Sequence, residues 1–298
     1  MSDAWIRIES DGLSAQINPF GAELSRLTDH EGRELLWDGD PAWWTGRAPL
    51  LFPVVGGLNG GVYRLGGQTY AMPKHGFART KPFAVVEQAE DRVVLRLEAD
   101  EQTRAVYPFV FQLDVAFAIE DGQLANTVTI RNLGDGEMPA SFGFHPALRW
   151  PLPYGGDKLD HLLRFEAPQP APIRRVGDDG LVRPEGLPTP VEGRDMALRE
   201  ELFTNDAVIF DQLGSRRLVY GAPGRPGVEV TFPDCPHLGV WTKPGADYIC
   251  IEPWSGFADA QNYTGDIRDK PGVFLVRQGK PATFLMTIKP ESQVLELR

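Results

Sequence analysis

The chain has 298 residues, a formal net charge of −11 at pH 7, 42% hydrophobic and 24% charged residues. That size supplies a sizeable core without metal or disulfide staples, and the acidic balance argues against nucleic acid or anionic membranes as partners, since phosphates attract Lys and Arg. The two cysteines, Cys235 and Cys250, lie far from any CxxC spacing. They read as small buried hydrophobes rather than a disulfide framework or a zinc site.

In chain order, the segment 63–70 alternates around Gly66-Gly67 and predicts a hairpin. The segment 83–97 predicts a second, with two β-rich arms around the polar residues 88–91. Glu101–Val106 is a candidate for one or two helical turns. FQLDVAFAIEDGQLANTVTI then sets Asp121-Gly122, a strong two-residue turn, between β-prone arms. The stretch 168–194, rich in Pro, Gly and charge, predicts a long surface excursion with a strand or two, functional or merely decorative. A short helix is expected over 196–203, and a last hairpin around Gly279. No repeat and no composition break divides the chain, so the expectation is an all-β fold: a large antiparallel β-sandwich with few short helices, one domain over 1–298. The first residues lack a basic segment leading into an apolar run, and no run of about 18 apolar residues follows, so a cytoplasmic protein without a membrane span is expected.

Nucleotide-binding signatures are missing: there is no GxGxxG and no GxxxxGK[ST]. GxSxG and HExxH are missing as well. Four segments carry polar groups in aromatic, β-rich surroundings. They are RAPLLFPVVG from Arg47, PKHGFAR with His75 and Arg79, SFGFHP with His145, and YICIEPWSGFAD with Glu252 and Asp259.

Together, HGFAR, the GxHP turn and IEPW resemble the aldose 1-epimerase (galactose mutarotase-like) superfamily, in its LacX-like branch, along essentially the whole chain. The resemblance implies a β-supersandwich, in agreement with the hairpin reading. It also implies a cofactor-independent isomerase interconverting the α and β anomers of an aldose. Carried over by motif, Glu252 is the general base that takes the C1 hydroxyl proton, and His145 is the general acid at the ring oxygen. His75 and Asp206 hold sugar hydroxyls, and Arg47 and Arg79 flank the pocket. Where galactose mutarotases carry an Asn- and Arg-rich loop, this chain has LFPVVGGLNGG, so the sugar is not copied from them.

The chemistry is self-consistent. Anomer exchange needs one proton removed and one delivered, which a carboxylate and an imidazole supply without metal or redox cofactor. It calls for Glu252 ionised and His145 protonated near neutral pH, with Asp206 as a carboxylate that favours the charged imidazole. Trp43, Phe77 and Trp254 are candidate apolar walls. The expected partner is a small sugar or a sugar phosphate, the latter clamped by Arg47 and Arg79; no pattern speaks to oligomeric state. The residues alone leave plainer roles open: His75 or Asp206 capping a turn, Arg79 in an ion pair, Arg47 stacked on a tryptophan. A non-catalytic sugar-binding protein, and a glycosidase pairing Glu252 with Asp206 or Asp259, are the rival classes. His30, His161 and His237 read as surface or packing residues.

Overall fold

The computed structural model describes residues 5–293. Antiparallel strands dominate it, arranged as one nine-stranded sheet, one six-stranded sheet and three smaller ones. The nine-stranded sheet runs in the order Asp195–Ala197, Leu162–Phe165, Arg217–Gly221, Pro226–Thr231, Ala282–Gln293, Gln123–Asn132, Phe111–Glu120, Arg92–Glu98, Ala84–Gln88. Its central hairpin pairs Phe111–Glu120 with Gln123–Asn132 across Asp121 and Gly122. Both turn residues have positive φ, 53° and 67°, as a type I′ turn requires. Along Gln123–Asn132 alternate residues are buried, so one face belongs to the core.

The six-stranded sheet carries Val208–Phe210, His237–Trp241, Tyr248–Ser255, Phe142–Phe144 and Leu50–Leu51 in that order, with Ala147–Arg149 paired to Tyr248–Ser255. The two large sheets form a sandwich over a shared apolar core. Val115, Phe117 and Val128 from one face meet Phe142, Ile249 and Ile251 from the other. Phe142 stacks on Phe284 with ring centroids 5.0 Å apart. Burying each such side chain is worth roughly 1.5–3 kcal/mol.

The hairpins expected at 63–70 and 83–97 form. Glu101–Val106 is helical, capped by Asp100, whose carboxylate accepts the Thr103 N–H at 2.6 Å. Two expectations are corrected. The segment 196–203 holds no α-helix: it joins a strand, Asp195–Ala197, to a 3-10 turn, Glu200–Phe203, because Met196 and Leu198 are drawn into the core. The chain does reverse at Gly279 (φ 74°), but its arms part. Phe274–Arg277 pairs with Glu137–Ala140, while Ala282–Gln293 enters the nine-stranded sheet.

The excursion 168–194 is tied down by isolated bridges, Ile173 to Leu187, Arg174 to Ile209 and Val182 to Ala260. These bring its middle to the end of the six-stranded sheet, where the cavity lies. Among the described residues no helix is long and apolar enough to cross a membrane.

Candidate active site

Strand Tyr248–Ser255 is buried along all eight residues. Its even-numbered side chains face away from the main core: Tyr248 and Cys250 pack with Trp37 and Ala147, and Trp254 with Leu51, Val55 and Ile209. Glu252 shares their face and so reaches the floor of a cavity of about 210 Å³. Opposite it, His145 leaves the strand Phe142–Phe144, and the turn behind it is held where the Ile251 N–H donates to the Pro146 carbonyl. His145 Nε2 lies 3.1 Å from Glu252 Oε2.

Trp254 walls the cavity because two glycines leave room for its ring. A Cβ at Gly143 would sit 2.5 Å from indole Cδ1, and one at Gly239 would sit 2.3 Å from Cη2. Gly143, in the sequence before His145, is therefore a packing requirement of the site.

His75 enters through a tight turn. It has φ 68°, and Gly76 follows at φ 71° where a Cβ would meet the Phe52 carbonyl oxygen at 2.2 Å. The Gly56 N–H donates to His75 Nδ1 at 3.1 Å. That bond assigns the proton of the neutral ring to Nε2. Burial, with His145 and Lys74 adding to it, pulls this imidazole well below its ordinary range, so His75 is a neutral hydrogen-bond donor. Capping a turn and lining the cavity are here one role.

Asp206 sits on the rim with φ 61°, its Oδ1 accepting the Ala207 N–H at 2.6 Å and its carbonyl accepting from Arg175. Arg79 also lines the cavity. Its guanidinium donates to the Lys74 carbonyl at 2.9 Å, and no ion pair engages it among the described residues.

Burial works against the charges expected on Glu252 and His145. Burial pushes the Glu252 carboxyl well above the usual carboxylate range, with Asp206 adding and Lys74 opposing. Burial pulls His145 down to about 3, and Arg79 and Lys74 contribute. Both directions favour the neutral pair, with the proton towards Glu252, over the buried ion pair. Asp206 acts on Glu252 rather than charging His145.

Of the expected site residues, Glu252, His145, His75, Asp206 and Arg79 line one cavity. Arg47 does not. Its guanidinium donates to the Asp38 carbonyl and lies over Trp5, 5.0 Å from the ring centroid, beside Asp38 and Arg149. What Arg47 contributes to the site is backbone, its carbonyl accepting from the Ala147 N–H at 2.7 Å. Trp43 and Phe77 are also elsewhere: Trp43 lies under Lys243, and Phe77 packs in the core on Phe52, Tyr107 and Phe111. Asp259 pairs with the buried Lys270 at 3.5 Å, away from the cavity, which removes it from a glycosidase pair. His161 is a packing residue, accepting the Leu152 N–H at Nε2, and His237 accepts the Gly256 N–H.

The cavity also has members that the sequence reading missed. Trp44 and Trp241 supply the aromatic walls, at 5.0 and 6.2 Å from the His145 ring. Lys74 lines the rim, and Val176 and Gly180 bring the 168–194 excursion into the wall. Lys74 was legible, standing beside His75; the tryptophans had no local mark that set them apart from the other five.

Known proteins resemble the chain in both sequence and fold. Protein LacX of Lactococcus lactis subsp. lactis is 29% identical over 278 residues, 90% of this chain and 93% of its own length. A galactose mutarotase-like protein from Lactobacillus casei ATCC 334 superposes with a TM-score of 0.89 at 28% identity, covering 96% of this chain and 99% of that one. A galactose mutarotase related enzyme from Lactobacillus acidophilus gives 0.88 at 29% identity, with 99% of both chains covered. The family model for aldose 1-epimerase matches residues 5–272, and with that span the chain belongs to the aldose 1-epimerase family.

Proposed function

We propose that this protein is an aldose 1-epimerase: it interconverts the α and β anomers of a sugar through acid–base ring opening and reclosure. The observation that carries the reading is the contact of 3.1 Å between His145 Nε2 and Glu252 Oε2 on the floor of a cavity. Aromatic walls and a few polar anchors, with the neutral donor His75 and the carboxylate Asp206 among them, are what a sugar-sized site needs.

The protons balance. With Glu252 ionised and His145 charged, Glu252 takes the C1 hydroxyl proton while His145 protonates the ring oxygen, and the C1–O5 bond breaks. The product is the open-chain aldehyde facing a protonated Glu252 and a neutral His145. That is the tautomer burial favours in the cavity, so the enzyme's preferred state is the one that accompanies the open chain. After the C1–C2 bond rotates, reclosure on the other face returns both protons. No oxidation state changes, and the two groups together hold one proton before and after each transfer.

A second reading keeps the reaction and adds a phosphate to the sugar. Lys74 makes no side-chain hydrogen bond or ion pair among the described residues, and Arg79 retains unused guanidinium donors. These two, rather than Arg47, are the candidates for an anionic substituent.

The test is anomer exchange by NMR or polarimetry on glucose, galactose, their 6-phosphates and several pentoses, wild type beside Glu252→Gln. Acceleration abolished in the variant supports the reading and names the substrate class. A folded protein that binds a sugar yet accelerates nothing overturns it in favour of a binding protein.

A further inference from the structure

Cys250 has no part in that reaction, yet it shares the face of strand Tyr248–Ser255 with Glu252 and is fully buried as a free thiol. Its Sγ, a ring nitrogen of His145 and a carboxylate oxygen of Glu252 all lie within 4.8 Å of one another. Imidazole, thiolate and carboxylate are a ligand set for zinc, and three protein ligands with an open fourth position make an accessible site. His145 and Glu252 line the cavity, and Cys250 belongs to the cluster packed against two of its walls, Trp44 and Trp241, so a fourth ligand would come from the cavity.

We propose that a zinc-class divalent cation binds reversibly at His145, Cys250 and Glu252, and that it inhibits the enzyme by occupying the acid–base pair. The inhibition rests on the epimerase reading; the binding does not.

Two considerations support it. The first is charge. With one proton between His145 and Glu252 and one on the thiol, the three groups carry no net charge, whichever partner holds the shared proton. A dication that displaces both, released through the cavity to water, leaves thiolate, carboxylate and neutral imidazole around it, again neutral. The buried site thus gains no net charge, which removes the main obstacle to burying an ion.

The second is geometry. The His145–Glu252 separation of 3.1 Å is close to the ~3.3 Å between N and O ligand atoms of a tetrahedral zinc site, and the thiol, within 4.8 Å of both, has at most about an ångström to close. His145 Nδ1, by contrast, has no hydrogen-bond partner among the described residues. Histidines that hold a resident metal are normally anchored through that second nitrogen. The missing anchor fits a dissociable ion rather than a structural one.

The probe is Co²⁺ added to the intact protein and followed by absorbance. The expected result is a saturable thiolate-to-cobalt charge-transfer band at one ion per chain, lost in both Cys250→Ser and Cys250→Ala and retained in Cys235→Ser, whose thiol lies elsewhere in the core. Unfolding midpoints of the two Cys250 variants show which is folded, and the folded one decides. Zn²⁺ should displace the cobalt and slow anomer exchange in a manner a chelator reverses, with sensitivity at least tenfold lower in the Cys250 variant. Absence of the band in folded wild type, or its persistence without Cys250, overturns the site. A band in a protein with no epimerase activity leaves the metal site standing and removes the reaction. Full activity at saturating zinc overturns the inhibition.

Discussion

Two carboxylates on long strands of the same sandwich have opposite fates. Asp114, on Phe111–Glu120, accepts from Arg96 and Gln112 and pairs with Arg131 at 2.5 Å. Burial raises its carboxyl, but these donors outweigh it and hold the group below the usual carboxylate range. Glu252, on Tyr248–Ser255, faces an imidazole and, among the described residues, no arginine within ion-pair distance, and burial wins. A carboxylate saturated with donors is an anchor. One left with a single exchangeable partner has a proton to trade.

The sharpest way to break this contrast is Glu252→Gln. Removing the proton-transfer group should cost about 10²–10⁴-fold in anomer exchange, while the denaturant midpoint stays level, because an amide N–H can donate to His145 as a protonated carboxyl would. A large loss of stability with retained activity would exchange the two roles.

Asp114→Asn should do the reverse, leaving activity alone and costing roughly 1–3 kcal/mol in urea unfolding, since charged hydrogen bonds are lost at a partly exposed site. The sign of the pH effect follows from the lowered carboxyl. Its contribution is present above its unfolded-state value of about 4 and fades as pH falls through the still lower folded value. Wild type should therefore lose more stability than Asp114→Asn between about pH 4 and pH 2, measured as midpoint against pH.

Gly143→Ala sharpens the comparison from the side of packing. The added Cβ must displace the Trp254 ring, and KM should rise about tenfold, with Glu252 chemistry intact once sugar is bound. The smallest effect is expected for Lys74→Ala: an exposed charge worth about 0.2–1 kcal/mol, hence up to about fivefold in KM, on a sugar phosphate alone. Equal effects on neutral sugars would dismiss the anionic reading.

Local pattern carried much of the fold. Asp121-Gly122 and Gly66-Gly67 dictate their hairpins because tight I′ turns need positive φ that few residues adopt. The hairpin at Gly279 failed because a turn decides where the chain reverses, and the sheets with free edges decide what each arm pairs with. The site divided in the same way. HGFAR, GFHP and IEPW are each a short unbroken motif that marks its own residue, whereas Trp44, Trp241 and Val176 reach the cavity from stretches with no such motif.

What the sequence by itself determined is the strand-rich sandwich, the aldose 1-epimerase family and the identity of a carboxylate and two histidines that share one cavity. The tertiary structure alone decided that Arg47 points elsewhere, that Cys250 lies beside the pair, and that burial disfavours charge on both Glu252 and His145. Those depend on burial and on neighbours distant in the chain. A residue's type records which charges it can carry, while the packing around it sets the free energy of carrying them.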